Sequence, residues 1–451
     1  MSTQSQPNVI WIFGDQHRAQ ALGYMGDPNV NTPNIDRLAS EGVTFTNAVA
    51  GCPWCTPYRG ALMTSRYIHK AVQRTPQKLD PTLPTVADAF NGHGYRTAFF
   101  GKWHLGGFNQ MTFIPRDERA RFDVWIGYEN NNAQYDCWVH GHDLDGRDDV
   151  EPLAEKLASY ETDALTDKLI TFVEKHEQQR DSNSQDSSEQ PFFAILSVQP
   201  PHDPHVAPPD YEERFDPATI KLRPNVPDIP RITERARRDL AGYYAQIENL
   251  DWNVGRVMET LRTQGIDDNT HVIFFSDHGD MLGSHGYWRK SSPWEEAVRT
   301  PCIVRPAGGL DEQDILRTSD APMNHVDYAP TSLGLCGFEA KEWMSGTDFS
   351  HHVLPSRPVP EHEPQSAYLQ QVFRKRFDCL NRVWRGIRTR DGWKYVCLEG
   401  QPLFLFNLNE DPYELANLAY LDTFHEKRMA LQAELAGWIE QTEDEFELPE
   451  E

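Results

Sequence analysis

The segment Asn8–His17, NVIWIFGDQH, places five consecutive apolar residues directly before a glycine and three polar residues. A continuous run of β-branched and aromatic residues is typical of a strand that is buried on both faces, as in a parallel sheet. The run is far shorter than the roughly 20 residues that are needed to span a bilayer. We therefore expect a central core strand that ends at a group of polar side chains.

Three further apolar runs have the same form, and each is followed by residues that can act in chemistry. They are YRTAFF (95–100) before Gly101-Lys102-Trp103-His104, FFAILSV (192–198) before Pro200-Pro201-His202-Asp203, and HVIFF (271–275) before Ser276-Asp277-His278-Gly279-Asp280. In open α/β sheets, ligands bind outside the carboxyl ends of the strands. Acids, histidines and a lysine are thus expected at one edge, which suits a cation held by aspartate oxygens beside cationic groups for an anion.

Helical patterns separate these runs. The segments Thr32–Gly42 and Thr82–Gly94 both begin with a threonine and end with a glycine, and Pro33 suits a first helical turn. The residues expected to face the core are Ile35, Leu38, Ala39, Val86, Ala89 and Phe90. Strands that alternate with helices predict an α/β fold layered around a mainly parallel sheet.

The pattern changes toward the C-terminus. The polar, Ser-rich segment Glu177–Gln190 predicts a solvated loop, and the Pro-rich segment His352–Pro364 predicts a linker. Beyond it, Trp384–Val396 alternates around an Arg-Asp-Gly turn and predicts a hairpin, Phe404–Leu408 predicts a strand, and Thr423–Thr442 predicts a closing amphipathic helix. We expect a catalytic α/β domain at 1–355 and a smaller α+β subdomain with an antiparallel sheet at 365–451.

The net charge of −25 repels polyanions at long range, so nucleic acid is not an expected partner, and no membrane-spanning segment is visible. An anionic substrate needs a local cationic pocket. Seven cysteines without regular spacing argue against a disulfide framework. The first seven residues lack a basic or apolar leader, so the chain as given is expected in the cytoplasm, or in the periplasm or outside the cell if a leader has been removed.

The segment Cys52-Pro-Trp-Cys55-Thr-Pro-Tyr-Arg59 allows three interpretations: a redox dithiol, half of a zinc site, or two buried cysteines. The chain has no second CxxC motif to complete a zinc site. Pro57 suits the first turn of a helix, which puts Cys55 near a helix N-terminus, where backbone N–H groups favour anions. Arg59 follows within one turn.

This segment, continued by GALMTS, resembles the Cys-x-Pro-x-Arg signature of the sulfatases, in which the cysteine is oxidised to formylglycine (3-oxoalanine). Other segments resemble sulfatase motifs in the expected order: Thr32–Gly42, Gly101–Gly106, Ser276–Gly279, Leu282–Gly286 with Lys290, and Leu405–Glu414 with Asn417-Leu-Ala. The resemblance extends from about Asn8 to Ala419. It implies an alkaline-phosphatase-like fold, sulfate ester hydrolysis, and a formylglycine-generating or equivalent maturation enzyme as a partner.

The resemblance also implies a divalent metal. Carried over position by position, its ligands are Asp15, Gln16, Asp277 and His278, with the modified Cys55 completing the set. Ca²⁺ is expected first. Many relatives have Asp where this chain has Gln16 and Asn where it has His278, so the lower ligand charge also admits Mg²⁺ or Mn²⁺.

In the implied mechanism, the hydrated aldehyde supplies two hydroxyls on one carbon. One attacks sulfur and displaces the alcohol. Deprotonation of the other then collapses the hemiacetal, which expels sulfate and restores the aldehyde. Arg59, Lys102 and Lys290 are expected to neutralise the sulfate oxygens. His104 is the expected base, and His202 or Lys290 the donor to the leaving oxygen.

Carbohydrate sulfates are the first expected substrates, and aryl or small alkyl sulfates the second. One alternative is a phosphonate or phosphate ester hydrolase of the same superfamily, against which Lys102 and His104 argue. A second is a non-catalytic binding protein in which Cys55 is never converted. The redox dithiol is a third, and it predicts that Cys52 is essential.

Overall fold

The computed structural model of the chain describes residues 6–108, 112–142, 144, 154–182, 190–311, 316–374 and 379–450. Its larger sheet has ten strands: β1 (Asn8–Asp15), β2 (Val43–Phe45), β3 (Arg96–Lys102), β4 (Val124–Tyr128), β5 (Trp138–Gly141), β6 (Glu155–Lys156), β7 (Phe192–Pro201), β8 (Thr270–Ser276), β9 (Cys302–Arg305) and β10 (Arg317–Ser319). Their order is β10-β2-β9-β8-β1-β7-β3-β4-β5-β6. The central strands from β8 to β4 are parallel, and antiparallel pairs lie toward both edges.

The four predicted core strands are therefore confirmed as β1, β3, β7 and β8, and β1 lies at the centre. Successive side chains of a strand point to opposite faces. Ile10 and Ile12 pack into one hydrophobic core, whereas Val9, Trp11 and Phe13 pack into the other. A strand buried on both faces needs apolar residues at every position, and this explains the unbroken run in the sequence.

Helices cover both faces of this sheet: α1 (Pro33–Ser40), α2 (Cys55–Thr64), α3 (Val86–Asn91), α4 (Glu161–Ser182), α5 (Pro209–Glu212), α6 (Pro230–Thr263), α7 (Glu295–Val298) and α8 (Tyr328–Leu335). Residues of α1, α4 and α6 share the core of Ile10, and residues of α2, α3 and α8 share the core of Trp11. The core-facing residues predicted for α1 and α3 are buried. No helix in the described part of the chain combines the length and apolar composition that a bilayer requires.

Two boundaries differ from the sequence prediction. Helix α3 begins at Val86 rather than near Thr82, because the Asp88 carboxylate accepts hydrogen bonds from the backbone N–H and the hydroxyl of Thr85 and fixes the start there. The loop predicted at Glu177–Gln190 is wrong for its first part, since α4 continues to Ser182. Positions 183–189 of that segment lie outside the described residues.

A second, antiparallel sheet contains β11 (Ser366–Gln371), β12 (Trp384–Thr389), β13 (Trp393–Leu398) and β14 (Gln401–Asn407), in that order. Helix α9 (His425–Thr442) packs against it through Leu431 and Leu435. The predicted hairpin, following strand and closing helix are thus confirmed. Strand β11 was not predicted.

The second sheet contacts a segment next to the larger sheet, at 291–295. Trp384 donates a hydrogen bond from Nε1 to the carbonyl oxygen of Ser291 at 3.2 Å. Glu295, at the start of α7, is buried between Arg388 of β12, at 3.2 Å, and Lys394 of β13, at 3.1 Å. The C-terminal sheet therefore fixes the segment from 291 to 295.

Candidate active site

Four strand ends meet at one edge of the larger sheet. Strands β8, β1, β7 and β3 are consecutive neighbours and parallel, so their carboxyl ends lie side by side. Asp15 ends β1 and Lys102 ends β3, while His202 directly follows β7 and Asp277 directly follows β8. The topology therefore brings the sequence-predicted groups to a common edge.

Cys55 is the first residue of helix α2, as the Cys-x-Pro-x-Arg pattern predicts. Its sulfur lies 3.3 Å from Oδ1 of Asp15, 3.2 Å from Nε2 of His278 and 2.9 Å from Nζ of Lys290. Cys52 is fully buried elsewhere, with its sulfur 3.8 Å from Oε1 of Gln371. The two cysteines thus have different surroundings, and Cys55 is the one that lies beside Asp15, His278 and Lys290.

Asp15, Cys55, Asp277 and His278 form a cluster in which one ligand atom of each lies within 4.8 Å of the others. Nδ1 of His278 lies 2.9 Å from the carbonyl oxygen of Gly279 and can donate to it, which leaves the Nε2 lone pair facing the cluster. Two carboxylates, an imidazole nitrogen and the side chain at position 55 form a donor set that fits a divalent cation.

Gln16 lies beside this cluster with a positive φ of 73°. Its backbone N–H donates to Oδ1 of Asp277 at 3.0 Å, and its side-chain Nε2 donates to Asp280 and Asp203. The buried Oε1 atom has no hydrogen-bond partner among the described residues. The amide is therefore oriented by its nitrogen, and its oxygen is available as a ligand.

Three cationic side chains surround the same point. The Arg59 guanidinium lies 3.2 Å from carboxylate oxygens of both Asp15 and Asp277. It also donates to the hydroxyl of Ser197 at 2.8 Å, which holds its orientation. Nζ of Lys102 lies 2.8 Å from Oδ2 of Asp15. With Lys290 these groups form a buried cationic pocket, as an anionic substrate requires.

The charges of this pocket shift the pKa values of its acids. Burial alone would raise the pKa of Asp15, but Lys102 and Lys290 hold it well below its ordinary value. Burial and the charge of Asp15 raise the pKa of Asp277 to about 6. Burial and Asp15 oppose ionisation of Cys55, yet Lys290 and Lys102 lower its pKa to about 7. Negative charge at position 55 is therefore stabilised at neutral pH.

Both predicted histidines face the pocket. His104 follows β3 with a φ of 55°, and burial together with Lys102 and Arg59 lowers its pKa well below the ordinary value. Burial and Lys290 also lower the pKa of His202, whose side chain hydrogen-bonds with Cys55. Burial and the nearby cations thus favour the neutral form of both imidazoles.

A cleft of about 140 Å³ opens over Cys55 and contains Lys102, His104, His202 and Lys290. Its wall also includes residues that the sequence did not assign to the site: Trp54, Thr75, Asn130, Asn132 and Arg289. Arg289 pairs with Asp203 at 3.2 Å, and Ser197 supports Arg59 from within β7. The positions of Thr75, Asn130, Asn132 and Arg289 depend on how separate loops pack together, which the local sequence does not show. Local sequence signals exist for three residues near the cleft, because Trp54, Asp203 and Asp280 lie in the motifs around Cys55, His202 and Asp277.

Comparison with known proteins agrees with this geometry. The family model described as Sulfatase matches residues 7–338, and that described as N-sulphoglucosamine sulphohydrolase, C-terminal, matches residues 283–441. An ulvan-active sulfatase of Formosa agariphila is 33% identical over 446 residues, covering 98% of this chain and 83% of that protein. An endo-4-O-sulfatase of Bacteroides thetaiotaomicron is 28% identical, covering 97% and 92%.

Among solved structures, the yidJ protein of Bacteroides fragilis superposes with a TM-score of 0.82 at 27% identity, and the match covers 98% of this chain and 97% of that one. This likeness confirms the predicted alkaline-phosphatase-like α/β fold with its small antiparallel C-terminal sheet. The family match spans more than half of the chain and includes the cluster around Cys55. The chain therefore belongs to the sulfatase family and is an enzyme that hydrolyses sulfate esters.

Proposed function

We propose that this sulfatase removes sulfate from carbohydrate monoesters, using a formylglycine made from Cys55 and a divalent metal. The observation that carries the proposal is the position of Cys55 at the start of α2, within 3.3 Å of Asp15, His278 and Lys290. A nucleophile for a sulfate ester needs cations for the sulfate oxygens and a group that increases its reactivity. Both are present around this one side chain.

Asp15, Asp277 and His278 would hold the metal, with Gln16 and the modified residue 55 completing its ligands. Ca²⁺ is the first choice, and the neutral Gln16 and His278 also admit Mg²⁺ or Mn²⁺. When bound, the metal supplies positive charge that increases the acidity of a ligated hydroxyl. The available Oε1 atom of Gln16 and the Nε2 atom of His278, which faces the cluster, support this assignment.

The three cations would bind the sulfate group. Arg59 is held rigidly by Asp15, Asp277 and Ser197, so its free energy of reorganisation on substrate binding is small. Lys290 lies 2.9 Å from the sulfur of Cys55 and would contact an oxygen of the bound group. Lys102 would neutralise a further oxygen.

His104 and His202 would transfer protons. The hydrated formylglycine would carry a second hydroxyl. Removal of its proton would re-form the aldehyde and break the bond between that carbon and the sulfate oxygen, so that sulfate leaves. Burial, Lys102 and Arg59 favour the neutral form of His104, which can take that proton. The arriving negative charge of the substrate favours the protonated form of His202, which then can donate to the leaving oxygen.

The wall of the cleft supports a carbohydrate as the alcohol. Asn130 and Asn132 lie in this wall and offer amide groups for hydroxyls, and the Trp54 ring offers an apolar surface. Two comparisons also support a carbohydrate substrate. Residues 283–441 match the C-terminal model of N-sulphoglucosamine sulphohydrolase, and one relative is an ulvan-active sulfatase. We also propose a catalytic domain at 1–355 and a supporting subdomain at 365–451, in line with the two sheets.

The test is a comparison of kcat/KM for an aryl sulfate and an aryl phosphonate with the same leaving group, together with sulfate release from sulfated mono- and oligosaccharides. The enzyme is coexpressed with a formylglycine-generating enzyme, and mass spectrometry of the peptide that contains Cys55 measures its conversion. We expect sulfate turnover well above phosphonate turnover, and release from at least one saccharide.

A higher kcat/KM for the phosphonate would assign the enzyme to the phosphonate hydrolases of the superfamily. Fully converted protein that hydrolyses the aryl sulfate but none of the saccharides would contradict the carbohydrate assignment. Protein that stays unconverted and inactive after coexpression would support a non-catalytic role.

A further inference from the structure

A second group of metal-binding side chains lies outside the cleft. Nε2 of His351 is 2.7 Å from Oε2 of Glu363, and Nε2 of His352 is 3.1 Å from the same oxygen. All three side chains are largely withdrawn from solvent, with exposed fractions of 8%, 17% and 12%. We propose that His351, His352 and Glu363 form a binding site for a divalent transition metal, with Zn²⁺ as its preferred ion.

The donor set and its dimensions suit zinc. Two imidazole nitrogens and one carboxylate oxygen are ligands that Zn²⁺ binds with tetrahedral geometry, leaving a fourth position for water. Bonds of about 2.0–2.1 Å in that geometry put neighbouring ligand atoms about 3.3 Å apart. The observed separations of 2.7 and 3.1 Å are therefore close to the required spacing. Hard cations such as Ca²⁺ select sites made of oxygens and do not suit this set.

Further contacts hold two of the ligands in place. Nδ1 of His352 lies 3.0 Å from the hydroxyl of Ser319. Oε1 of Glu363 accepts a hydrogen bond from Arg390 at 2.6 Å, so that Oε2 faces the histidines, and Arg390 also pairs with Asp320. Such outer contacts orient metal ligands and strengthen binding. Within the described residues, Nδ1 of His351 has no comparable partner.

The position of the cluster gives the ion a structural role. Its ligands come from both ends of the Pro-rich segment that joins the two sheets. Ser319 ends β10 of the larger sheet, and Arg390 lies in the turn between β12 and β13 of the smaller one. An ion held here would fasten the linker to both sheets, and it would stabilise the folded protein because it binds that state alone.

The experiment separates this site from the cluster at Cys55. The parent protein for all variants is full-length Asp277→Asn, in which metal binding at the Cys55 cluster is weakened. This protein is treated with chelator, incubated with Zn²⁺, desalted and analysed for zinc. We expect one zinc per chain, and at least a tenfold loss of zinc affinity on adding Glu363→Gln or His352→Ala. His351→Ala should weaken binding less, because its ring lacks an outer partner. The matched control is His362→Ala, since that side chain is 92% exposed.

Thermal unfolding gives an independent measurement. Zn²⁺ should raise the Tm of the Asp277→Asn protein by several degrees and leave that of its Glu363→Gln derivative unchanged, while circular dichroism verifies that both are folded. In an otherwise wild-type enzyme, Glu363→Gln should retain sulfatase activity. Equal zinc content in all variants, or loss of zinc in the His362→Ala control alone, would overturn the proposal, as would a parent protein that retains no zinc.

Discussion

The ammonium nitrogen of Lys290 lies 2.9 Å from the sulfur of Cys55, although 235 residues separate the two in the chain. The same ammonium lies 5.2 Å from the centre of the Trp54 ring. Lys290 thus contacts both residues, and its positive charge favours negative charge on residue 55.

Cys55→Ala is expected to lower sulfate release by at least about 1,000-fold, because it removes the precursor of the nucleophile. Circular dichroism and Tm should stay close to those of the wild type. The matched control is Cys52→Ser, which should keep most activity, since Cys52 lies away from the cationic pocket. Loss of activity in the Cys52→Ser variant as well as in Cys55→Ala would support a redox dithiol instead, because that chemistry needs both thiols.

Exhaustive chelation, verified by elemental analysis, should reduce turnover by at least about 100-fold, because the carboxylates of Asp15 and Asp277 would then lack their cation. Readdition of Ca²⁺, Mg²⁺ and Mn²⁺ in separate samples identifies the metal that restores the rate. Gln16→Ala should raise the metal concentration needed for half-maximal activity. An unchanged rate in metal-free protein would contradict the assignment of these ligands.

His104→Ala should slow the release of sulfate more than its transfer to the protein. We expect sulfate to stay attached to residue 55, so that the intact mass increases after substrate is added, and we expect kcat to fall by about 100- to 10,000-fold. Stopped-flow measurements should then show rapid release of the alcohol in the first turnover, followed by a slow steady state. If the variant instead loses this rapid release along with the steady state, His104 acts before the first bond is broken.

Lys394→Met is expected to lower the free energy of unfolding by about 3 kcal/mol, because it removes the charge that Glu295 and Glu414 share in a fully buried position. Urea denaturation followed by tryptophan fluorescence measures the change. Adding Glu414→Gln should restore part of the loss, since one buried carboxylate is then neutral. Equal stability of all three proteins would show that the buried charges contribute little.

The sequence predicted the central part of the fold well, for a physical reason. Strands buried on both faces leave unbroken apolar runs, and their polar ends identify the edge at which Asp15, Lys102 and Asp277 meet. Strand β11, SAYLQQ, was missed because only Tyr368 and Leu369 among its six residues are large and apolar. Arg289 pairs with Asp203 because two loops that are distant in the sequence come into contact, and no local sequence pattern predicts such a contact.

The contacts between the C-terminal sheet and residues 291–295 limit how this enzyme can be engineered. Substrate range in such an enzyme could be altered by exchanging the C-terminal segment with that of a relative. Here the exchange would also replace Trp384, Arg388 and Lys394, which hold Ser291 and Glu295. A chimaera that omits these three side chains would free the backbone next to Lys290, so a successful graft must carry them or replace their partners together with them.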